Sequence, residues 1–202
     1  MPGRKASEDA RRQQIIHAAF DVASRKGLAA LTVRLVAAKA GLSTGLVLFH
    51  YKTKEQLVIA LLDYVLATTT VLRLTDDIAQ ISSPLDRLLA LLAREMDRLS
   101  QEPRRIRLFF DFWAKGFTHP RINRRMQAEL DRYREAFRPI AEEVLAAEPE
   151  RFADVSAEGL AAMAVSFVKG CAVQSMIDPK NFDIDDYLAA TKGLVGQLAP
   201  AG

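Results

Sequence analysis

The residues best suited to chemistry at a surface lie between Thr32 and Lys54, in the stretch "LTVRLVAAKAGLSTGLVLFHYKTKEQL". Arg34, Thr44, Gly45, Leu46, Leu48, Phe49 and His50 share the outer side of this stretch, and Lys52 and Lys54 follow immediately. Cations and hydroxyls around a short helix suit a groove-reading device: flanking groups grip phosphates while one helix face meets base edges. Catalysis has much less to work with. His17, His50 and His119 form no close metal-ligand pair, and no Gly-rich phosphate loop is present. Glu142-Glu143 and Asp185-Asp186 read as solvated helix charges, and Cys171 lies in an apolar run where a thiol is inert. Neither a cofactor nor a metal is expected.

Such a surface must be held by two short helices crossing steeply, with a small residue at their approach and a glycine in the turn. Ala37 is the small residue and Gly41 the turn, with Val36, Ala40, Leu42 and Val47 placed to face inward. Thr32 can cap a helix through Ala40, and Ser43 a second through about Phe49. Thr53-Lys54-Glu55-Gln56 matches a capping box that opens a long helix through about Leu74. His50-Tyr51-Lys52, too polar for a core, becomes the corner between them. Ahead of this set, residues 7–26 carry Ile15, Ile16, Ala19, Phe20 and Ala23 at helical spacing, with Arg11, Arg12 and Gln13 on a polar face and Gly27 as a stop. On its own, an alanine four residues before a glycine is also a common helix end.

The rest of the chain is punctuated the same way. Helices are expected over 84–100 (capped by Ser83), 104–117, 120–147 with Pro139 as a kink or break, 156–177, and from the Asp183 cap to 198. No strand pair is evident, so the fold is all-α. The 202 residues are 50% hydrophobic, enough for a sizeable core. A single cysteine and the lack of an apolar signal segment point to the cytoplasm. Residues 1–56 hold 10 of the 28 basic and only 4 of the 25 acidic residues. A basic first quarter on a mildly acidic remainder fits a polyanionic partner; the competing reading is a solvated basic terminus.

Two further features admit two readings each. Phe109, Phe110, Phe112, Trp113 and Phe117 could wall a ligand pocket or fill a bundle core, and most are expected in the core with one or two on a cavity. Residues 160–177 are apolar enough to raise a membrane span, but Lys169, Ser166, Gln174 and Ser175 argue against one. Burial on two sides, by the chain's own core and by a second copy, explains the run better. With Ile184, Tyr187, Leu188, Thr191, Leu194, Val195 and Leu198 along the last helix, residues 156–198 become a four-helix dimer interface.

The segment from Leu31 through Lys54-Glu55-Gln56-Leu57-Val58, with Phe20 and Gly27 before it, resembles the DNA-binding region of the TetR family of bacterial transcriptional regulators. The resemblance covers roughly residues 10–60. "FFDFWAKGFTHPRINRRMQAELDRY" is similar to the sensing domain of the betaine-regulator branch. The resemblance implies an all-helical homodimer: a three-helix helix-turn-helix head over residues 1–53, and a ligand-sensing and dimerising body over 54–202. Thr32, Val33 and Arg34 then approach phosphates, Thr44, Gly45, Leu46 and Phe49 face the groove, and His50 and Lys54 contact the DNA backbone; Ser43 and Lys52, whose ammonium adds charge beside the helix, complete the expected DNA-binding set. Phe109, Trp113, Phe117 and Phe167 are the candidate effector contacts. This chain has Leu48 where relatives often carry a tyrosine, Thr44 where they carry lysine, and Leu35 where they carry a polar residue. The lost tyrosine hydroxyl removes one phosphate contact. The function implied is a repressor that binds a palindromic operator and is released by a small molecule. The alternatives are an activator or a DNA-binding protein without an effector and, more distantly, a small helical enzyme.

Overall fold

The computed structural model describes residues 7–69 and 75–197, and among them the chain forms helices and no strand. In order these are α1 (Glu8–Lys26), a 3-10 turn (Leu28–Ala30), α2 (Val33–Ala40), α3 (Thr44–His50), α4 (Lys54–Thr69), α5 (Asp76–Ala79), α6 (Pro84–Ser100), α7 (Pro103–Gly116), α8 (Pro120–Ala147), α9 (Ala157–Ile177) and α10 (Ile184–Gln197).

The capping residues act as their types require. Thr32 Oγ1 accepts the Leu35 amide at 3.2 Å, Ser43 Oγ that of Leu46 at 3.1 Å, and Thr53 Oγ1 that of Gln56 at 3.1 Å. Ser83, Ser156 and Asp183 do the same for α6, α9 and α10. Each such cap contributes about 1 kcal/mol. Two elements escape the sequence pattern, the 3-10 turn and α5, because both are too short for a helical period to show. Pro139 lies inside α8 without ending it. Both Pro139 and Glu135, whose carbonyl loses its amide partner, are exposed, so water can take the missing bond. The expected last turn of α4 to Leu74 and the end of the final helix at Leu198 lie outside the described residues.

Packing divides the chain into two compact units that interleave in sequence. One runs up to Thr69 and resumes over Arg104–Gln127; the other takes the remaining residues. This differs from a division at residues 53 and 54, because α7 and the start of α8 share a core with α1 to α4. Leu57, Leu61, Leu108, Phe109, Phe112 and Ile122 are all buried in that single cluster. Polar bonds reinforce it. Asp111 Oδ2 accepts the Leu28 amide at 3.1 Å, Arg104 reaches Asp21 at 3.2 Å and Ser24 Oγ at 2.9 Å, and Arg125 meets Asp63 at 2.6 Å. In the second unit α6 packs against α9, and α10 against both. Helix α9 is long and apolar enough to cross a membrane. Its inner side is buried within this unit and carries Lys169, Cys171 and Val168.

The sharpest local requirement is at Gly41, where φ is 66° and ψ 34°. Its amide donates to Ala38 O at 3.3 Å and the next amide, of Leu42, to Ala37 O at 2.9 Å. This pair of bonds is the glycine-dependent helix stop known as the Schellman motif. No atom lies within 4 Å of the place a Cβ would take, so a substitution there costs backbone strain and no clash. We expect Gly41→Ala to lower unfolding free energy by about 1–2 kcal/mol, and Gly41→Asn by less, since asparagine tolerates the left-handed region. Urea unfolding measures both. Equal losses for the two variants would mean that the left-handed backbone is not what the glycine supplies.

Candidate nucleic-acid interface

Helices α2 and α3 are bent by 104° across Gly41-Leu42-Ser43. That lies within the range of about 90–120° for a helix-turn-helix. Val36, Ala37 and Val47 are buried at the corner, with Ala40 and Leu42 half-buried beside them. Helix α3 therefore has one side pinned to the core and the other turned outward.

Longer-range bonds fix where that outward side points. Gln14 Nε2 donates to Ala40 O at 2.8 Å, closing the otherwise open end of α2. Arg12 Nη1 donates to His50 O at 3.0 Å, capping the end of α3, while its guanidinium lies 4.6 Å from the centre of the Tyr51 ring. Tyr51 returns a bond from its hydroxyl to Arg12 O at 3.3 Å. Tyr51 is thus buried, contrary to the expectation that His50-Tyr51-Lys52 is too polar for the core. Its ring supplies apolar contact and its hydroxyl finds a partner, and burial raises its pKa. Arg12, likewise, is half-buried and not on a purely solvated face. Sequence reasoning missed Arg12, Gln14 and Tyr51 as positioning residues. Contacts 26 to 39 residues apart leave no local signature.

Thr32, Arg34, Ser43, Thr44, Gly45, Phe49, Lys52 and Lys54 are exposed, and Val33, Leu46 and His50 half-buried. The Thr32 and Ser43 oxygens accept cap bonds, which leaves each O–H free to donate to a phosphate oxygen. Among the described residues, Arg34 and Lys54 enter no ion pair. Lys52 Nζ donates to Phe49 O at 2.8 Å and sits 4.9 Å from the centre of the Phe49 ring.

Of the four aromatic residues expected to meet an effector, Phe109, Trp113 and Phe117 belong to the first unit and Phe167 to the second. Phe109 is in the core of the first unit, edge-on to half-buried Trp113 at 5.6 Å. Phe117 follows the last residue of α7 and is 78% exposed. Phe167 belongs to the other unit, where the Tyr187 hydroxyl donates to its carbonyl at 3.2 Å. The reason Phe117 is exposed is helical phase: positions 109 and 112 face the core of α1 to α4, which leaves position 117 outside. A cleft of about 870 Å³ does open in the first unit, between Lys54, Glu55, Asp111, Lys115 and His119.

The second unit instead buries a charged cluster that sequence reasoning did not single out. Glu95 on α6, Glu129 and Tyr133 on α8, and Lys169 on α9 are all buried. The Tyr133 hydroxyl donates to Glu95 Oε1 at 2.5 Å, and Arg98 donates to both Glu95 oxygens at 2.6 and 2.8 Å. Arg132 pairs with Glu129. The Lys169 ammonium sits 4.5 Å from the centre of the Tyr133 ring. Burial lowers its pKa to about 8, against the pull of Glu95 and Glu129. Burial also raises the Glu129 carboxyl, and burial with the neighbouring Glu95 pushes the Tyr133 phenol well up.

A basic-flanked helix-turn-helix joined to a larger helical body defines a class, the DNA-binding regulators. Residues 15–61 match the family described as bacterial regulatory proteins, tetR family, and residues 84–200 match the BetI-type transcriptional repressor C-terminal domain. The chain belongs to the TetR family of bacterial transcriptional regulators. It is 30% identical over 162 residues to the HTH-type transcriptional regulator BetI of Stenotrophomonas maltophilia, covering 79% of this chain and 80% of that one. Its fold matches a TetR transcription regulator from Haloarcula marismortui at 21% identity and a TM-score of 0.71, over 96% of this chain and 98% of that one. It also matches a transcriptional regulator from Saccharomonospora viridis solved in complex with choline, at 15% identity and a TM-score of 0.68, over 92% and 95% of the two chains.

The depressed Lys169 pKa has a definite sign in stability. Below about pH 8 the ammonium is charged in both states and the cost of burying it is fully present. From there to about pH 10 the folded chain gives up the proton while the unfolded chain, with an ordinary lysine pKa of about 10.4, keeps it. The unfolded state then holds more protons, so this residue's contribution to stability rises with pH. We expect the stability of wild type relative to Lys169→Met to increase between pH 8 and pH 10 in urea titrations. A difference flat across that window would show that Lys169 is not a buried amine of lowered pKa.

Proposed function

We propose that this regulator is a cytoplasmic repressor that binds a roughly palindromic operator as a homodimer and is released by a small-molecule effector. The observation that carries the DNA part is the 104° corner with its exposed α3 face, flanked by Arg34 and Lys54, which enter no ion pair among the described residues. In this reading residues 1–53 act as the DNA-binding head. Thr32, Val33, Arg34, His50, Lys52 and Lys54 grip phosphates, and Ser43, Thr44, Gly45, Leu46 and Phe49 meet the groove.

The dimer part is supported by apolar side chains left uncovered on α9 and α10. Ile177 is 79% and Leu194 62% exposed in the isolated chain. Two copies related by a two-fold axis would cover them, and the same axis makes the operator palindromic. Thr191, expected on that seam, is buried within the chain. The side chain of Val195 and all of Leu198 lie outside the described residues.

The release part is supported by the path of α8. Its first turns bind α4 beside the head, Arg121 meeting Glu55 at 2.9 Å. The same continuous helix then carries Glu129 and Tyr133 into the buried cluster. A molecule that repacks this cluster shifts α8, and with it the first turn of α4 next to Lys54. Such coupling requires the effector and the operator to favour different states. A regulator without an effector would lack that antagonism.

Lys54→Ala should weaken binding to all DNA sequences and reduce the salt slope by about 1, because a phosphate contact carries no base information. Binding isotherms at several salt concentrations test it; an unchanged slope removes Lys54 from the interface. Leu194→Glu should place a charge in the apolar seam and dissociate the subunits in sedimentation, and a folded variant that stays dimeric moves the seam elsewhere. For the effector, choline is a direct probe, given the choline-bound structural neighbour. If it acts here, operator affinity falls on its addition, with coupling of roughly 1–3 kcal/mol. Unchanged affinity at millimolar choline excludes that compound.

A further inference from the structure

The recognition face of α3 is unusual in what it omits. Its sequence is Thr-Gly-Leu-Val-Leu-Phe-His, with no Arg, Lys, Asn, Gln, Asp or Glu. Those are the side chains that read guanine, adenine or cytosine edges through hydrogen bonds. At the centre of the outward face, opposite the buried Val47, stand Gly45, which has no side chain, and Phe49. Phe49 is 64% exposed and Leu48 beside it 40%. The Phe49 ring is held in place. Lys52 Nζ stands over it at 4.9 Å and the His50 ring meets it edge-on at 5.2 Å.

An apolar face this exposed, with Lys52 over the Phe49 ring and Arg34 and Lys54 exposed on the adjoining helices, fits a partner that is anionic around an apolar spot. In the major groove the apolar spot on a base edge is the 5-methyl group of thymine. Resting on the reading that α3 enters the groove, we propose that Phe49 selects operator half-sites by contact with thymine methyl groups. Base discrimination then comes chiefly from apolar burial on α3, with Thr44 its one exposed hydroxyl. The flanking cations set affinity without choosing sequence.

The test uses the full-length protein and a preferred site recovered by selection from random DNA. Each thymine is replaced singly by deoxyuridine, which lacks only the methyl group. At one or two positions per half-site we expect Kd to rise about four-fold, the equivalent of one buried methyl group. 5-Bromodeoxyuridine, whose bromine fills the methyl position, should restore binding. Phe49→Ala should bind the thymine and uracil sites alike, and since its side chain is 64% exposed the fold should be kept. Wild type indifferent to every uracil replacement overturns the inference while leaving DNA binding intact, as does a thymine preference that survives in Phe49→Ala. Failure to recover any preferred sequence defeats the DNA reading itself, and this inference with it.

Discussion

The left-handed turn at Gly41 is the constraint on which the DNA-facing surface depends. It ends α2 within one residue and directs the chain at 104° into α3. Val36 and Val47 can share one core only from that angle, and only then does the far side of α3 clear the body of the unit. Long-range bonds from α1 help to keep this corner still. Gln14 satisfies one helix end and Arg12 the other, and both belong to α1. Helix α1 is in turn tied to α7 through Arg104, Asp21 and Ser24.

The second unit answers a different physical problem. Burying Glu95, Glu129 and Lys169 is costly unless each charge is paired, and here each meets opposite charge or an aromatic face. A cation above an aromatic ring beside two carboxylates is a familiar setting for an organic cation. In this chain the covalently attached Lys169 ammonium fills it. The three elements involved, α6, α8 and α9, are thereby locked in register by polar contacts that a purely apolar seam would not specify.

Much of this was legible from the sequence because the signals are local. Thr32, Ser43, Thr53, Ser83, Ser156 and Asp183 each announce a helix start through a side-chain oxygen, and each helix begins there. Gly41 and Ala37 announce the corner, and the outward set from Thr32 to Lys54 follows from helical phase. What escaped was long-range. Nothing near Tyr51 in sequence says that Arg12 will cover its ring. Nothing in the aromatic run after Arg104 says that Phe109 and Phe112 will complete the core of α1 to α4. The buried cluster escaped for the same reason, as Glu95, Tyr133 and Lys169 come from three separate helices. Each of these residues looks ordinary in its own helix.

The shared core also sets an order of events during synthesis. Leu57 and Leu61 await Leu108, Phe112 and Ile122, which the ribosome delivers only after the whole of α5 and α6 has been made. A nascent chain that has just exposed its helix-turn-helix therefore still lacks the helices that steady it. The core behind the helix-turn-helix is complete only after residues 70–103 of the second unit have emerged, so a chain terminated before Arg104 lacks the part of that core that α7 and α8 supply.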